Sequence, residues 1–121
     1  MARRIVMHVG DVTVAALLND SAAAHLFAER LPVRIRMSAS TVGCCGPAPF
    51  EMPVDAALVH RGWINGDINY NSGSGWIAVF VEDEENSGRY GDQFTIGRIE
   101  GPLAPLRVLT GAHDVLIEAE S

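Results

Sequence analysis

Apolar and polar residues alternate along several short stretches of the chain, and this period of two is typical of strands with one buried face. Between residues 33 and 38, for example, the apolar side chains fall on one face, whereas Arg34 and Arg36 fall on the other. The dipeptides Gly10-Asp11 and Asn65-Gly66 are hairpin turn signals between such stretches. The pattern predicts eight strands, at residues 3–9, 12–18, 33–38, 57–64, 67–71, 75–82, 93–99 and 113–119.

The apolar spacing changes to a helical period in one place, directly after the polar residues 19–21. A short polar side chain at this position can cap the free amides of a first helical turn, and Pro32 ends the helix. A second, shorter helix is predicted over residues 102–110, because Pro102 suits a first turn and Gly111 suits a helix end.

Eight strands and two short helices indicate a closed barrel rather than an open sheet. An open sheet of this size would leave unpaired edges, which closure removes, and the interior of an eight-stranded barrel is just filled by side chains. We therefore expect a mainly β protein, one domain over residues 1–121, with a packed centre.

Charge and composition narrow the classes of function. The chain has 15 acidic and nine basic residues, all of the latter arginine, and a formal net charge of −6. Scattered arginines do not provide the dense positive patch that nucleic acids require. The absence of lysine excludes Schiff-base and lysine-base chemistry.

The sequence also indicates a compartment. The two cysteines, Cys44 and Cys45, are adjacent, which is unsuited to an ordinary structural disulfide and fits a reducing environment. No signal-peptide pattern follows Met1, and the longest apolar run, residues 76–81, is far shorter than the ~20 residues that span a bilayer. We expect a soluble cytoplasmic protein without a membrane partner.

Most motifs that would identify a chemistry are missing. The four histidines are isolated, so no metal site is expected, and there is no glycine-rich phosphate loop or Gly-x-Ser-x-Gly nucleophile motif. The acidic residues 82–88 are expected to form a solvated loop, because they lack the ligand spacing of a calcium site. We therefore expect no metal and no cofactor.

The remaining candidates are aromatic and polar residues, most of them on the later predicted strands. They either fill the core or line a shallow apolar groove with a few polar anchors. His60, close to Trp63, is either a surface residue or the polar edge of such a pocket. The loop residues Cys44 and Cys45 are either filler or a thiol pair that needs a nearby base for reactivity.

Four segments, in order along the chain, resemble the small bacterial and archaeal cyclophilin-like family. They are Gly10 to Asp20 with the helix to Pro32, Gly66-Asp67-Ile68-Asn69-Tyr70, Trp76-Ile77-Ala78-Val79-Phe80, and Phe94 to Leu103. The resemblance implies a closed eight-stranded cyclophilin-like barrel with two helices over its ends, which agrees with the strand count.

Cyclophilins are prolyl isomerases that use an arginine, a glutamine and apolar residues in a groove on the outer face of the barrel. Their Phe-His-Arg and Phe-Met-x-Gln-Gly-Gly-Asp motifs are absent here. The resemblance places Gln93 near the position of their groove histidine, and Arg34 or Arg36 in place of their arginine. At the position of Cys44 and Cys45 the family often has a Trp-Gly-Glu-like loop, so a more apolar pocket is implied.

Three hypotheses for the function follow. The first is a cofactor-free isomerase or cyclase that holds an apolar or peptide-like molecule in a groove, and the resemblance suggests natural-product cyclisation of the Diels–Alder type as a variant. The second is a homodimeric, non-catalytic ligand- or protein-binding module, and the third is a peptidyl-prolyl isomerase. The candidate catalytic residues are Tyr70, Tyr90, Gln93 and His60, and the candidate substrate-binding residues are Trp63, Trp76, Phe50, Met52, Phe94, Arg36, Cys44 and Cys45.

Overall fold

A computed structural model describes residues 3–120 of the chain. It contains ten strands: β1 (Arg3–Val9), β2 (Val12–Leu18), β3 (Val33–Ala39), β4 (Gly43–Pro47), β5 (His60–Arg61), β6 (Asp67–Asn71), β7 (Trp76–Phe80), β8 (Asp92–Gln93), β9 (Thr95–Glu100) and β10 (Ala112–Ala119). The two α-helices are α1 (Ala22–Glu29) and α2 (Ala104–Arg107). Two 3-10 segments lie at Ala56–Leu58 and Glu84–Tyr90.

Eight of the strands form a closed antiparallel barrel in the order β1-β10-β3-β4-β7-β6-β9-β2, which confirms the predicted fold class. The first and last strands of the described residues, β1 and β10, are neighbours, since Ile5 pairs with Ala119 and Val9 with Val115. The short strands β5 and β8 pair only with each other and form a separate two-stranded ribbon on the outside.

Alternating side chains of the barrel strands build the core. On β1, for example, Ile5, Met7 and Val9 are buried, and the intervening residues face outward. Helix α1 packs against this core through Phe27, and Ser21 caps the helix because its Oγ accepts the N–H of Ala24 at 3.2 Å. No helix within residues 3–120 is long and apolar enough to cross a membrane.

The predicted number of barrel strands is correct, but the identity of one of them is wrong. Residues 57–64 do not form a barrel strand, because they contain the end of a 3-10 segment, the two-residue strand β5 and a turn. The eighth strand is instead β4, in the segment that was expected to be a loop. Its Gly-Cys-Cys-Gly-Pro sequence has low strand propensity, so only its pairing with β7 over five residue pairs reveals it.

Three further boundaries differ from the prediction. Residues 93–99 are divided between β8 and β9, which belong to different sheets, and the second helix is limited to four residues. The acidic segment expected to be a solvated loop contains the 3-10 segment Glu84–Tyr90, which buries Ser87. Its backbone is ordered by this contact, which is described below.

Candidate functional site

A cleft with a volume of about 610 Å³ lies on the outside of the barrel, where β2, β9 and β6 are neighbours and residues 60–64 pass over them. This volume is in the range of sites that bind small organic molecules. The cleft has apolar walls and one polar cluster. Its lining comprises Leu17, Leu18, Trp63 and Ile64, then Asn19, His60, Arg61, Asp67, Thr95 and Arg98, and the glycines Gly62 and Gly97.

The segment that covers the cleft is held by Ser87, which is 2% exposed. Ser87 Oγ accepts the N–H of Trp63 at 2.8 Å and lies 2.7 Å from the carbonyl oxygen of Glu84, to which it can donate. Gly62 has a φ of 75°, and a Cβ at this position would collide with Ser87 Oγ. A glycine is therefore needed for residues 61–63 to lie against the 3-10 segment.

Trp63 forms a rigid wall of the cleft. Its ring stacks on Phe80 with centroids 3.9 Å apart and 7° between the planes, and Tyr90 packs against it with centroids 5.1 Å apart. The indole N–H donates to the carbonyl oxygen of Glu82 at 2.9 Å. Only 4% of Trp63 is exposed, so the side chain has little freedom to move away from a ligand.

Four polar side chains form a hydrogen-bonded chain that starts in the cleft. His60 Nε2 lies 2.8 Å from Thr95 Oγ1, and Thr95 Oγ1 donates to Asn69 Oδ1 at 2.7 Å. Asn69 Nδ2 then donates to Gln93 Oε1 at 3.0 Å. His60 and Gln93 are also register partners in the β5–β8 ribbon. Backbone pairing therefore fixes both ends of this series of hydrogen bonds.

These hydrogen bonds favour one tautomer of the imidazole. With the Asn69 amide oriented so that Oδ1 accepts the Thr95 proton, Thr95 accepts a hydrogen bond from His60, and Nε2 of His60 carries a proton in this tautomer. Within residues 3–120, Nδ1 of His60 has no hydrogen-bond partner. In the neutral imidazole this nitrogen is therefore a free proton acceptor.

Asp67 is the acidic member of the cluster. Its Oδ2 accepts the N–H of Ile64 at 2.9 Å and so closes the turn before β6. Burial raises the pKa of Asp67, while the N–H of Ile64, the charges of His60 and Arg98, and Thr95 act in the opposite direction. The carboxyl is thus held for structural reasons at a position where its charge is costly.

A second, smaller groove of about 180 Å³ lies outside β4, β7 and β6. Three of the predicted site residues, Gln93, Trp76 and Cys45, line it together with Asn69 and Phe80. Trp76 is 43% exposed, so it presents an apolar surface to solvent. The stacked rings of Trp63 and Phe80 stand between this groove and the cleft, and the His60-to-Gln93 chain connects the two.

Other predicted site residues lie elsewhere. Tyr70, Phe94 and Met52 are at most 5% exposed and belong to the hydrophobic core, where the hydroxyl of Tyr70 accepts the N–H of Met52 at 3.3 Å. They line neither the cleft nor the groove. Half of Tyr90 is exposed, and its hydroxyl accepts a hydrogen bond from Arg89 at 3.1 Å.

Phe50, Arg36 and Cys44 are separated from both sites. Phe50 packs near Phe27 of α1, with ring centroids 6.1 Å apart. Arg36 is exposed on β3 and pairs with Asp114 at 3.1 Å. Cys44 points into the barrel, whereas its neighbour Cys45 lines the groove.

Sequence reasoning missed Thr95, Asn69, Asp67, Arg61 and Arg98. Asp67 and Asn69 alternate with apolar residues on β6, which is the pattern of an ordinary solvent-facing strand. They are 5% and 3% exposed because residues 60–64 and the β5–β8 ribbon lie over that face. The linear sequence carries no signal for this coverage.

Comparison with known proteins agrees with this architecture. A sequence model of the cyclophilin-like family matches residues 7–118. A hypothetical protein from Archaeoglobus fulgidus, solved in solution, has the same fold, with a TM-score of 0.68, 14% identity, and coverage of 98% of this chain and 95% of that one. No protein with a curated description is significantly similar in sequence. The chain therefore belongs to the cyclophilin-like family.

Proposed function

We propose that the protein is a cofactor-free isomerase or cyclase that binds a small, mainly apolar molecule in the cleft. One observation carries the proposal: His60 lines the polar end of a cleft with apolar walls, and its Nδ1 makes no hydrogen bond within residues 3–120. An imidazole is the side chain that most readily exchanges a proton near neutral pH. Proton transfer by a positioned side chain is a common source of catalysis.

In the isomerase form of the proposal, Nδ1 of His60 takes a proton from a carbon next to a substrate carbonyl and returns it to another carbon. One C–H bond breaks and one forms, so no co-reactant is needed. Thr95 holds the imidazole through Nε2, and Asn69 and Gln93 hold Thr95. In the cyclase form, Trp63 and Leu17 restrict the substrate to a reactive conformation, and polar groups of the cleft donate to its carbonyl.

Isomerisation of a bulky bicyclic β,γ-unsaturated ketone to its conjugated α,β-unsaturated form tests the proton transfer. Ultraviolet absorbance monitors this reaction. We expect the wild-type protein to accelerate the reaction, and His60→Ala to lose about 10²- to 10⁴-fold of that rate. His25→Ala is the matched control, because His25 is an exposed histidine on α1 outside the cleft. A rate that His60→Ala leaves unchanged would contradict the proton-transfer role.

A non-catalytic binding module is the second candidate function. The exposed Trp76 beside the groove favours it, because a large apolar side chain in contact with solvent is typical of a contact surface. Every barrel strand is paired on both sides, so a homodimer would use this face rather than a barrel edge. Ligand binding without any acceleration of the ketone reaction would favour the module over the enzyme.

A further inference from the structure

The charges around the cleft indicate what its ligand carries. Four of the nine arginines, Arg4, Arg36, Arg89 and Arg107, pair with carboxylates, and Arg30 lies over the ring of Phe50. Arg61 and Arg98 line the cleft, and neither has an ion pair with any group in residues 3–120. Arg3 and Arg34 also have no ion pair with the described residues but lie outside the cleft, so Arg61 and Arg98 are the two unpaired arginines that share one site.

Backbone pairing fixes the positions of both arginines in the fold. Arg98 is on β9, in register with Leu17 of β2 and Asp67 of β6, on the outward face that forms the cleft. Arg61 is on β5, and its stem passes over Gly88 of the 3-10 segment. The two arginines therefore approach the cleft from the barrel wall and from the segment that covers it.

Asp67 offsets only part of this charge, since Arg98 is near enough for its charge to act against the burial that raises the pKa of the carboxyl. It is buried and engaged with the N–H of Ile64, and no ion pair joins it to either arginine. Counting these three groups alone leaves an excess of one positive charge. Asp92, the register partner of Arg61, does not line the cleft and forms no ion pair with Arg61. Both arginines are exposed, so their attraction for an anion is screened by salt and depends on direct contact with the guanidinium groups.

We infer that the molecule bound in the cleft has an apolar body and an oxyanion, a carboxylate or a phosphate, held between Arg61 and Arg98. Guanidinium groups match the paired oxygens of such anions. The apolar body would contact Leu17, Trp63 and Ile64. This inference rests on the proposed function only in taking the cleft as the ligand site, and it concerns affinity rather than turnover.

Three probes with the same body and different charge test the inference: naphthylbutyrate, its primary amide and the corresponding amine. Isothermal titration gives the affinities, and the NMR signal of the Trp63 indole N–H reports cleft binding, with that of Trp76 as an internal reference for the groove. We expect the carboxylate to bind about tenfold or more tightly than the amide, the amine to bind least, and only the carboxylate to weaken with salt. Naphthyl phosphate distinguishes a phosphate site from a carboxylate site by its relative affinity.

Arg98→Gln and Arg61→Gln are expected to reduce the carboxylate affinity by about tenfold or more each and to leave the amide affinity unchanged. Arg34→Gln is the matched control, because it removes the same charge from an exposed position on β3 outside the cleft. Equal affinity for all three probes would overturn the oxyanion and leave the proposed function standing. Probes that bind while the ketone assay shows no acceleration would overturn only the catalysis, and failure of every probe to bind wild-type protein would overturn both.

Discussion

The adjacent residues Cys44 and Cys45 occupy two different environments. They follow one another on β4, so their side chains point to opposite faces of the barrel wall. Cys44 Sγ lies 3.8 Å from Met37 Sδ in the interior, and Cys45 lines the outer groove. Burial, with a smaller effect of Cys45, raises the pKa of Cys44 to about 11, and burial also raises the pKa of Cys45.

This difference predicts unequal reactivity toward iodoacetamide. At pH 8 only about one Cys44 side chain in a thousand is a thiolate, so Cys44 labels more slowly than Cys45. Because its pKa is raised, the rate for Cys44 should still rise about tenfold from pH 8 to pH 9. Mass spectrometry of Cys45→Ser and Cys44→Ser proteins measures each thiol separately, and equal rates in the two would contradict the assignment.

For single side chains, the sequence indicates which residues are candidates for the site more readily than it indicates which residues they contact. Gln93 and His60 were predicted site residues, and the structure joins them through Thr95 and Asn69, which the sequence did not indicate. Tyr70 was also a candidate, but it is a core residue. The alternation of β6 divides its residues between two faces and does not say which face a loop covers.

Strand β4 shows how packing can override local preference. A Cβ at Gly46 would collide with the carbonyl oxygen of Arg36, and one at Gly43 with that of Val79. The glycines allow β3 and β7 to approach the strand closely from either side. Pattern analysis favours alternating apolar residues, so it selected residues 57–64 and overlooked a strand defined by its neighbours.

Gly46→Ala is therefore expected to lower the free energy of unfolding by about 1–3 kcal/mol or more, because the new methyl group meets backbone rather than a flexible side chain. Urea denaturation measures this loss. Gly88→Ala is the control, since a Cβ there meets only the Arg61 side chain at 3.7 Å. A Gly46→Ala protein as stable as the control would show that β4 does not lie between its two neighbours in this way.

Closure of the whole barrel depends on the pairing of the first and last strands. β10 lies between β1 and β3, and its alternate residues Val115 and Ile117 are at most 1% exposed. The outward residue Leu116 pairs with His8 and Arg34. The pairing of β10 with β1 and β3 thus completes both the hydrogen-bonded ladder and the core.

Ile117→Ala is expected to cost about 2–5 kcal/mol of unfolding free energy, because it leaves a cavity inside the closed barrel. Leu116→Ala, one residue away on the outer face, should cost about 1 kcal/mol or less. Chemical denaturation of the two proteins compares them directly. Similar losses in both would contradict the inward orientation of Ile117 and, with it, closure through β10.

The number of barrel strands, seven of their approximate positions and the closed architecture follow from the order of apolar and polar residues, because burial of one strand face imposes a period of two on the chain. The identity of the eighth strand and the composition of the cleft depend on contacts between residues far apart in sequence. Asn19, His60 and Thr95 meet only after β2, β9 and β6 are neighbours and residues 60–64 cover them. Outward-facing polar residues become a site through that coverage, which local periodicity does not encode.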